Sequence, residues 1–451
     1  MQFHIPENIC AVLNCLRGAG FRAVPVGGCV RDLLLGKTPH DWDIATSATP
    51  AEMLAVFSGL RTFEIGQSAA KHGTVTVMLD RTPIEMTTFR QDGPYSDGRR
   101  PDSVRFSREL ADDLARRDFT INALCLGEDG GIIDLFGGQE DLSAGVIRAI
   151  GTPDCRFSED ALRILRALRF AAVLGFSIEA QTESGMLRHL EKLAALSAER
   201  VRGELEKLLC APDCTRVLLQ YCAVIWAVLP ELRPLSELMA FKAAQGHDAY
   251  THTARAIGNA PPELPVRAAL LLHDIGRPLC VEDAGRFSDC AVQSAVLADG
   301  ILRRLKFSNA IREQVLFLVR HQVLPLDKAD RITMKRWMSK HGAAALGDLL
   351  ALQRADAVAR LDASDWLARL GTVQRLMQDI LSQQPPLDRT QLAISGRDLI
   401  LAGFAPGPQL GALLELLLQR VLEETLPNEP AALMKYVAAH RQEAISDAAQ
   451  D

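Results

Sequence analysis

Residues 24–50, VPVGGCVRDLLLGKTPHDWDIATSATP, decide how the rest of the chain is read. A short apolar run, Ala23 to Val26, leads into Gly27 and Gly28, then into a helix-like segment from Cys29 to Leu35 that Gly36 stops as a left-handed cap. This order predicts a strand, a tight turn and a helix. Adjacent glycines at such a junction let the backbone approach a ligand closely, and the first N–H groups of the helix then point at it, which suits an anion such as a triphosphate. Arg31 falls in that first turn and can add a charge-assisted contact. After the turn residues Thr38 to His40 comes Asp41-Trp42-Asp43-Ile44-Ala45. Read as a strand, it sends Asp41 and Asp43 to one face, roughly 7 Å apart at their α-carbons. Two such carboxylates repel unless a cation lies between them, and a pair of Mg²⁺ ions about 4 Å apart requires such oxygen ligands.

This head stretch resembles the tRNA nucleotidyltransferase and poly(A) polymerase family, the class II nucleotidyltransferases. Their signature GG-x-x-RD followed by DxD is matched by Gly27, Gly28, Arg31, Asp32, Asp41 and Asp43. The resemblance implies an enzyme that adds C, C and A to the 3′ end of tRNA from CTP and ATP with Mg²⁺, a poly(A) polymerase, or an enzyme restricted to CC or to A.

Length and composition set wider bounds. At 451 residues the chain is too long for one core. Apolar residues at 48 % and charged residues at 24 % describe an ordinary globular protein. A formal charge of −6 exerts no global pull on nucleic acid, so RNA binding depends on local basic patches, and nothing points to DNA. Ten cysteines without C-x-x-C pairs, among them Cys210 and Cys222 in apolar helical runs, suggest buried free thiols in a reducing compartment. With no signal peptide and no run long enough to span a membrane, the expected location is the cytoplasm.

Along the chain, Ile5 to Arg17 and Pro50 to Ser58 are expected to be helices. Thr74 to Leu79 and Pro83 to Phe89 alternate about Asp80-Arg81-Thr82, a hairpin pattern. Glu85, in mid-strand, is a candidate third metal ligand, and in the resembling family the third carboxylate stands there. Gln91 to Val104 reads as a loop whose Arg99-Arg100 pair could close over substrate.

In Arg116-Arg117-Asp118-Phe119-Thr120-Ile121-Asn122, charges sit among large apolar residues, and buried charges need partners. The run matches the family's RRDFTINA motif, which implies that Arg117, Asp118 and Asn122 contact the ribose and phosphates of the incoming nucleotide. A further helix is expected from an N-cap at Ser158, with Asp160, Arg163 and Arg166 along one stripe. Cytosine and adenine both show an amino donor beside a ring-nitrogen acceptor, so an Asp that accepts and an Arg that donates select C and A over U and G. Asp160 and Arg163 have that spacing, and the family's ED-x-x-R-x-x-R motif, matched by Glu159, Asp160, Arg163 and Arg166, implies that role.

After Gly246, histidines and aspartates end successive apolar helices: His252, His273-Asp274, His321 and Asp356. Their order resembles an HD domain and implies a second metal site at His252, His273, Asp274 and Asp356. Cys290 stands where that family commonly has a His, which sets hydrolysis apart as a lesser alternative. Lys335, Arg336 and Lys340 beside Trp337 form a local basic patch suited to phosphates. The expected architecture is α+β: a nucleotidyltransferase head with a small mixed sheet over residues 1–150, then all-α segments. These are a neck and body with base recognition over 151–235, an HD-like domain over 236–360 and a tRNA-binding tail over 361–451.

Overall fold

The computed structural model describes residues 3–59, 62–63, 73–95, 101–238, 245–280, 287–323, 329–361 and 363–439. The chain is α+β and divides into two compact units, Met1–Arg233 with Arg304–Lys306, and Pro234–Arg303 with Phe307–Asp451. Arg99 and Arg100 lie outside the described residues.

The first unit is built on a five-stranded sheet in the order β1-β2-β5-β4-β3. These strands are β1 (Ala23–Pro25), β2 (Asp43–Thr46), β3 (Thr62–Phe63), β4 (Thr74–Leu79) and β5 (Thr82–Thr88). Pro25 is tolerated because β1 is an edge strand. The β4–β5 turn is shorter than the sequence suggests. Asp80 and Arg81 alone form it, with φ of 49° and 63°, and Thr82 already pairs with Leu79. Positive φ at both central residues is the geometry whose twist matches flanking antiparallel strands. From β5 the chain returns beside β2, and these two strands run parallel, so that Asp43 stands opposite Glu85 and Ile44 opposite Met86.

Alternation then divides the sheet into two faces. On one, Ile44, Val75, Val77, Ile84 and Met86 pack with Ile9, Val12, Leu13 and Leu16 of α1 (Glu7–Gly18) and Met53 of α3 (Pro50–Val56). On the other, Val24, Val26, Ala45 and Phe89 pack with Leu110 and Leu114 of α4 (Leu110–Ala115) and with Ala123 and Cys125. Asp43 and Glu85 belong by parity to this second face, at its uncovered end, where both are exposed. Asp41 is in the bend before β2 rather than on it, because the strand begins at Asp43.

Gly27, with φ of 83°, turns β1 into α2 (Gly28–Leu34), and Gly36 at φ 70° follows its end. The Gly27 N–H donates to the Leu124 carbonyl at 2.9 Å, and Val26 bridges Cys125. The glycine turn is thereby held against the run that carries Arg117 and Asn122.

The expected helix from Ser158 is in fact two. With Pro153 in its first turn, α6 (Pro153–Glu159) starts earlier and contains Ser158. Asp160 is extended, at φ −149° and ψ 102°, and its carboxylate accepts the Leu162 N–H to open the longer helix α7 (Leu162–Leu174). A short acidic side chain that bonds its neighbour's backbone favours a cap over a helix interior. Beyond α5 (Gly138–Ala144) and α8 (Ala180–Arg188), α9 (Ala198–Leu209) presents Arg200 and Glu204 to the α7 region.

The second unit is helical. Its tail helix α11 (Pro408–Leu422) buries Leu413, Leu417 and Leu418 against Leu392, Leu399 and Leu433. Here the expected phosphate patch is corrected. Lys335 is buried with its Nζ 2.6 Å from Glu424, and Arg336 is paired with Glu423, so two of the three cations join the helix α10 (Arg331–His341) to the end of α11. Burying a lysine demands such an acid partner. All ten cysteines are free, but Cys210 and Cys222 are half-buried and the buried thiols are Cys29, Cys125 and Cys214. Among the described residues, no helix is long and apolar enough to cross a membrane.

Arg81 bears a side chain in a left-handed conformation that costs an L-residue about 1 kcal/mol. Arg81→Gly is therefore expected to stabilise the protein by about 0.5–1 kcal/mol, read as a higher urea midpoint at unchanged slope.

Candidate nucleotide and metal site

Asp43 and Glu85 face each other across neighbouring parallel strands, a separation of about 4.8 Å at the backbone. Although exposed, both carboxyls lie above the ordinary range. Loss of water to the surrounding protein raises Asp43, Arg117 opposes this and Asp41 adds to it. The same loss of water raises Glu85, and Asp43 raises it further. Three acids that repel one another at the open end of a sheet have the chemistry of a hard divalent-cation site, in which oxygen ligands share the positive charge. They are spread more widely than a preformed cage, since His252, His273 and Asp356 alone form a group with ligand atoms within 4.8 Å of one another among the described residues.

Gly27 is pressed against this site. A Cβ there would lie 2.9 Å from Arg117 Nη1, 3.7 Å from the Asn122 carbonyl oxygen and 3.9 Å from Asp43 Oδ2. Two linked networks extend from it. In the first, Asp113, fully buried, accepts from Arg116 Nη2 at 2.6 Å and from Arg117 Nη2 at 3.1 Å, which aims the Arg117 guanidinium past the glycine turn. In the second, Arg31 Nη1 donates to Asn122 Oδ1 at 2.8 Å, Asn122 Nδ2 donates to Asp118 Oδ1 at 3.1 Å, and Arg166 Nε donates to Asp118 Oδ2 at 2.6 Å. Burial alone would raise the Asp118 carboxyl, but the Arg166 charge and the hydrogen bonds from Asn122 and Arg166 outweigh it and hold the pKa down at about 2. The structure thus brings together Gly27, Gly28, Arg31, Arg117, Asp118, Asn122 and Arg166 beside Asp43.

Asp160 and Arg163 stand next to this network, but their side chains do not bond each other; only the Arg163 N–H reaches the Asp160 carbonyl, at 3.1 Å. Both Asp160 oxygens accept from Arg200, at 3.1 and 2.6 Å. The Arg163 guanidinium donates to Glu159 and to the carbonyls of Arg156 and Arg116, the latter two at 3.0 Å. Each is fixed in orientation with hydrogen-bonding capacity left, the carboxylate through the second lone pair of Oδ2, since Oδ1 also accepts the Leu162 N–H, and the guanidinium through its remaining donors. Arg200 and Asp113 are absent from the sequence-based reading. Asp113 had a visible signal, since it lies three and four residues before Arg116 and Arg117 at a helix end; Arg200 had none, because its partner Asp160 is forty residues earlier, in the extended residue between two other helices.

The second unit holds the other cluster. His252 Nε2 is 2.7 Å from Asp356 Oδ1, and His273 Nε2 is 3.3 Å from both Asp356 Oδ1 and Asp274 Oδ2. Arg277 pairs with Asp274 and Arg360 with Asp356, each at 2.6 Å. All four expected residues therefore converge and are buried. His321 does not join them: its ring lies 4.4 Å from Phe317 and 5.5 Å from His341, centre to centre, in a separate aromatic group with Trp337.

Residues 23–148 match the Poly A polymerase head domain, residues 175–234 the "Probable RNA and SrmB- binding site of polymerase A", and residues 286–437 the tRNA nucleotidyltransferase domain 2. The CCA-adding enzyme of Latilactobacillus sakei is 36 % identical over 436 residues, which cover 94 % of this chain and 96 % of that one. The chain belongs to the CCA-adding enzyme family. The family's member from Limosilactobacillus fermentum is 37 % identical over 428 residues, 94 % of each chain. The crystal structure of the Bacillus stearothermophilus CCA-adding enzyme in complex with CTP aligns over 97 % of this chain and 98 % of that one, at 29 % identity and a TM-score of 0.66. Nucleotidyltransferases of this family use a divalent metal.

Two outcomes are expected. Because Asp43 and Glu85 hold protons more tightly in the folded chain than in the unfolded one, the metal-free protein loses stability as pH rises through their raised pKa values. Asp43→Asn removes this repulsion, so without divalent cations its melting temperature at pH 7 stays level or rises, while nucleotide incorporation falls at least about 100-fold. Asp118 behaves in the opposite sense. Its pKa, lowered from 3.8 to about 2, contributes roughly 2 kcal/mol at neutral pH, a contribution that fades as pH falls from about 4 towards 2. In urea titrations Asp118→Asn is destabilised most at pH 7, and the gap from wild type narrows in acid.

Proposed function

We infer that this protein adds C, C and A to the 3′ end of tRNA, taking CTP and ATP, releasing pyrophosphate and using no nucleic-acid template. The observation that carries this reading is the pairing of Asp43 with Glu85 beside the Gly27 turn, within a chain related over nearly its whole length to CCA-adding enzymes. Asp41, Asp43 and Glu85 would hold Mg²⁺, which when bound lowers the pKa of the primer 3′-hydroxyl and offsets charge on the departing pyrophosphate.

The chain's own groups do the rest. Gly27 and Gly28 leave room for the triphosphate, and Arg31 and Arg117 supply its charge-assisted hydrogen bonds. Asp118 and Asn122 orient the arginines and contact the ribose. Asp160 accepts the exocyclic amino proton of C or A, and Arg163 donates to the neighbouring ring nitrogen, while Arg200 and Glu159 keep the two from turning away. Uracil and guanine would leave the remaining acceptor of Asp160 and donor of Arg163 unmatched.

The remaining divisions belong to the same proposal. Residues 1–150 form the catalytic head, 151–235 the neck and body that choose the base, 236–360 an HD-like domain and 361–451 a tail that reads tRNA by shape. His252, His273, Asp274 and Asp356 offer nitrogen and oxygen ligands to a second metal. Ten free cysteines accord with the reducing cytoplasm in which we place the protein.

The test is incubation of the pure protein with transcript tRNA lacking its end, CTP, ATP and Mg²⁺, with product masses read by mass spectrometry. Three added nucleotides in the order C, C, A are expected; a tract of adenosines would instead favour a poly(A) polymerase. Arg163→Ala is expected to keep the chemistry but raise UTP incorporation relative to CTP roughly 5- to 100-fold, and unchanged rejection of UTP would overturn the assignment of base choice.

A further inference from the structure

Phe170, on α7, is nearly buried at 7 % exposure and is surrounded by cations. The guanidinium carbon of Arg169 lies 4.2 Å from the ring centroid, that of Arg31 5.2 Å and that of Arg166 5.4 Å. The ring is fixed in turn by Phe119, whose ring meets it edge to face at 6.0 Å and 84°. Arg31 and Arg166 are the two ends of the chain that runs through Asn122 and Asp118, so Phe170 closes that chain into a loop. The three arginines come from different surroundings: Arg31 pairs with Asp32, Arg166 with Asp118 and Arg169 with Glu204.

Three like charges about one side chain repel. For Arg169, loss of water and the neighbouring Arg166 and Arg31 oppose the charged form, and Glu204 supports it. An aliphatic residue would fill the space without offsetting that repulsion. A further carboxylate would offset it but would take up N–H donors that an anionic ligand needs. An aromatic ring does neither, because its negative face attracts the guanidinium plane while the N–H groups at the guanidinium edge stay available.

We propose that Phe170 is a positioning residue whose ring holds Arg31, Arg166 and Arg169 together, coupling the glycine turn that takes the triphosphate to the helix that chooses the base. This rests on the function proposed above. Phe170 does not touch the nucleotide; it sets where Arg31 and Arg166 point. It therefore acts on nucleotide binding more than on the chemical step, and on both CTP and ATP.

The experiment replaces Phe170 with 4-fluoro-, 3,5-difluoro- and 3,4,5-trifluorophenylalanine, which keep its shape and progressively drain the negative face of the ring. Phe170→Leu and Phe170→Trp are made alongside. KM and kcat for CTP and ATP are measured on tRNA lacking its end, with melting temperatures for each protein. The expected result is a KM that rises stepwise with fluorine number to about 3- to 30-fold, with kcat nearly constant. Phe170→Leu should lie at or beyond the end of the series and Phe170→Trp near wild type. A flat KM across the fluorinated series, with wild-type enzyme active, overturns the proposal. So does a loss in Phe170→Leu that follows its melting temperature alone, since packing would then account for it. Wild-type protein that fails to extend tRNA with C, C and A would instead refute the function on which the proposal stands.

Discussion

The ion pair between Asp118 and Arg166 is the interaction on which the proposed nucleotide site depends. A carboxylate buried in that position would be costly alone, and Arg166, Asn122 and the Phe119 N–H together make it the more stable form. Because Asp118 follows α4 of the head and Arg166 belongs to α7, the pair joins the part proposed to hold phosphate to the part proposed to face the base. Removing either partner strands a charge, and removing Asp118 also takes from Asn122 the carboxylate that orients it, leaving Arg31 to Asp32 and a freer amide. Asp113 has the same role one step away, binding Arg116 and Arg117 together so that one guanidinium reaches past Gly27.

Much of the head could be read from residue order. Gly27 and Gly28 between an apolar run and a helical pattern specified the turn, and the alternation of Thr74 to Phe89 specified the hairpin, because strands and turns are governed by local sterics and period. The register was not accessible in that way. That Asp43 would stand opposite Glu85 depends on a parallel crossover, which no local pattern encodes. The break at Asp160 was missed for a different reason: the residues on both sides have helical periodicity, and only the competition between a helix interior and an Asx-type cap decides the boundary.

The basic patch at Lys335 shows the limit of charge patterns. Three cations on a short helical stretch suggest a phosphate site, yet Glu423 and Glu424, almost ninety residues later, take two of them. Sequence separation hides such partners. The same holds for Asp274 and Asp356, whose metal-like appearance is tempered in three dimensions by Arg277 and Arg360. His252, His273 and Asp356 nonetheless meet as closely as their order implied, because helix ends that carry them pack into one buried centre.

The extended backbone at Asp160 has a consequence for how base preference can drift among relatives. Asp160 lies outside α7 and Arg163 inside it, so inserting or deleting one residue between Leu162 and Arg163 would swing Arg163 and Arg166 by about 100° around the helix while Asp160 stayed in place. Such a change would separate acceptor from donor and detach Arg166 from Asp118 at once. Chain length across this junction is therefore constrained by geometry, and on the proposed assignment a change of nucleotide choice is compatible with exchange of side chains but not with a one-residue insertion or deletion.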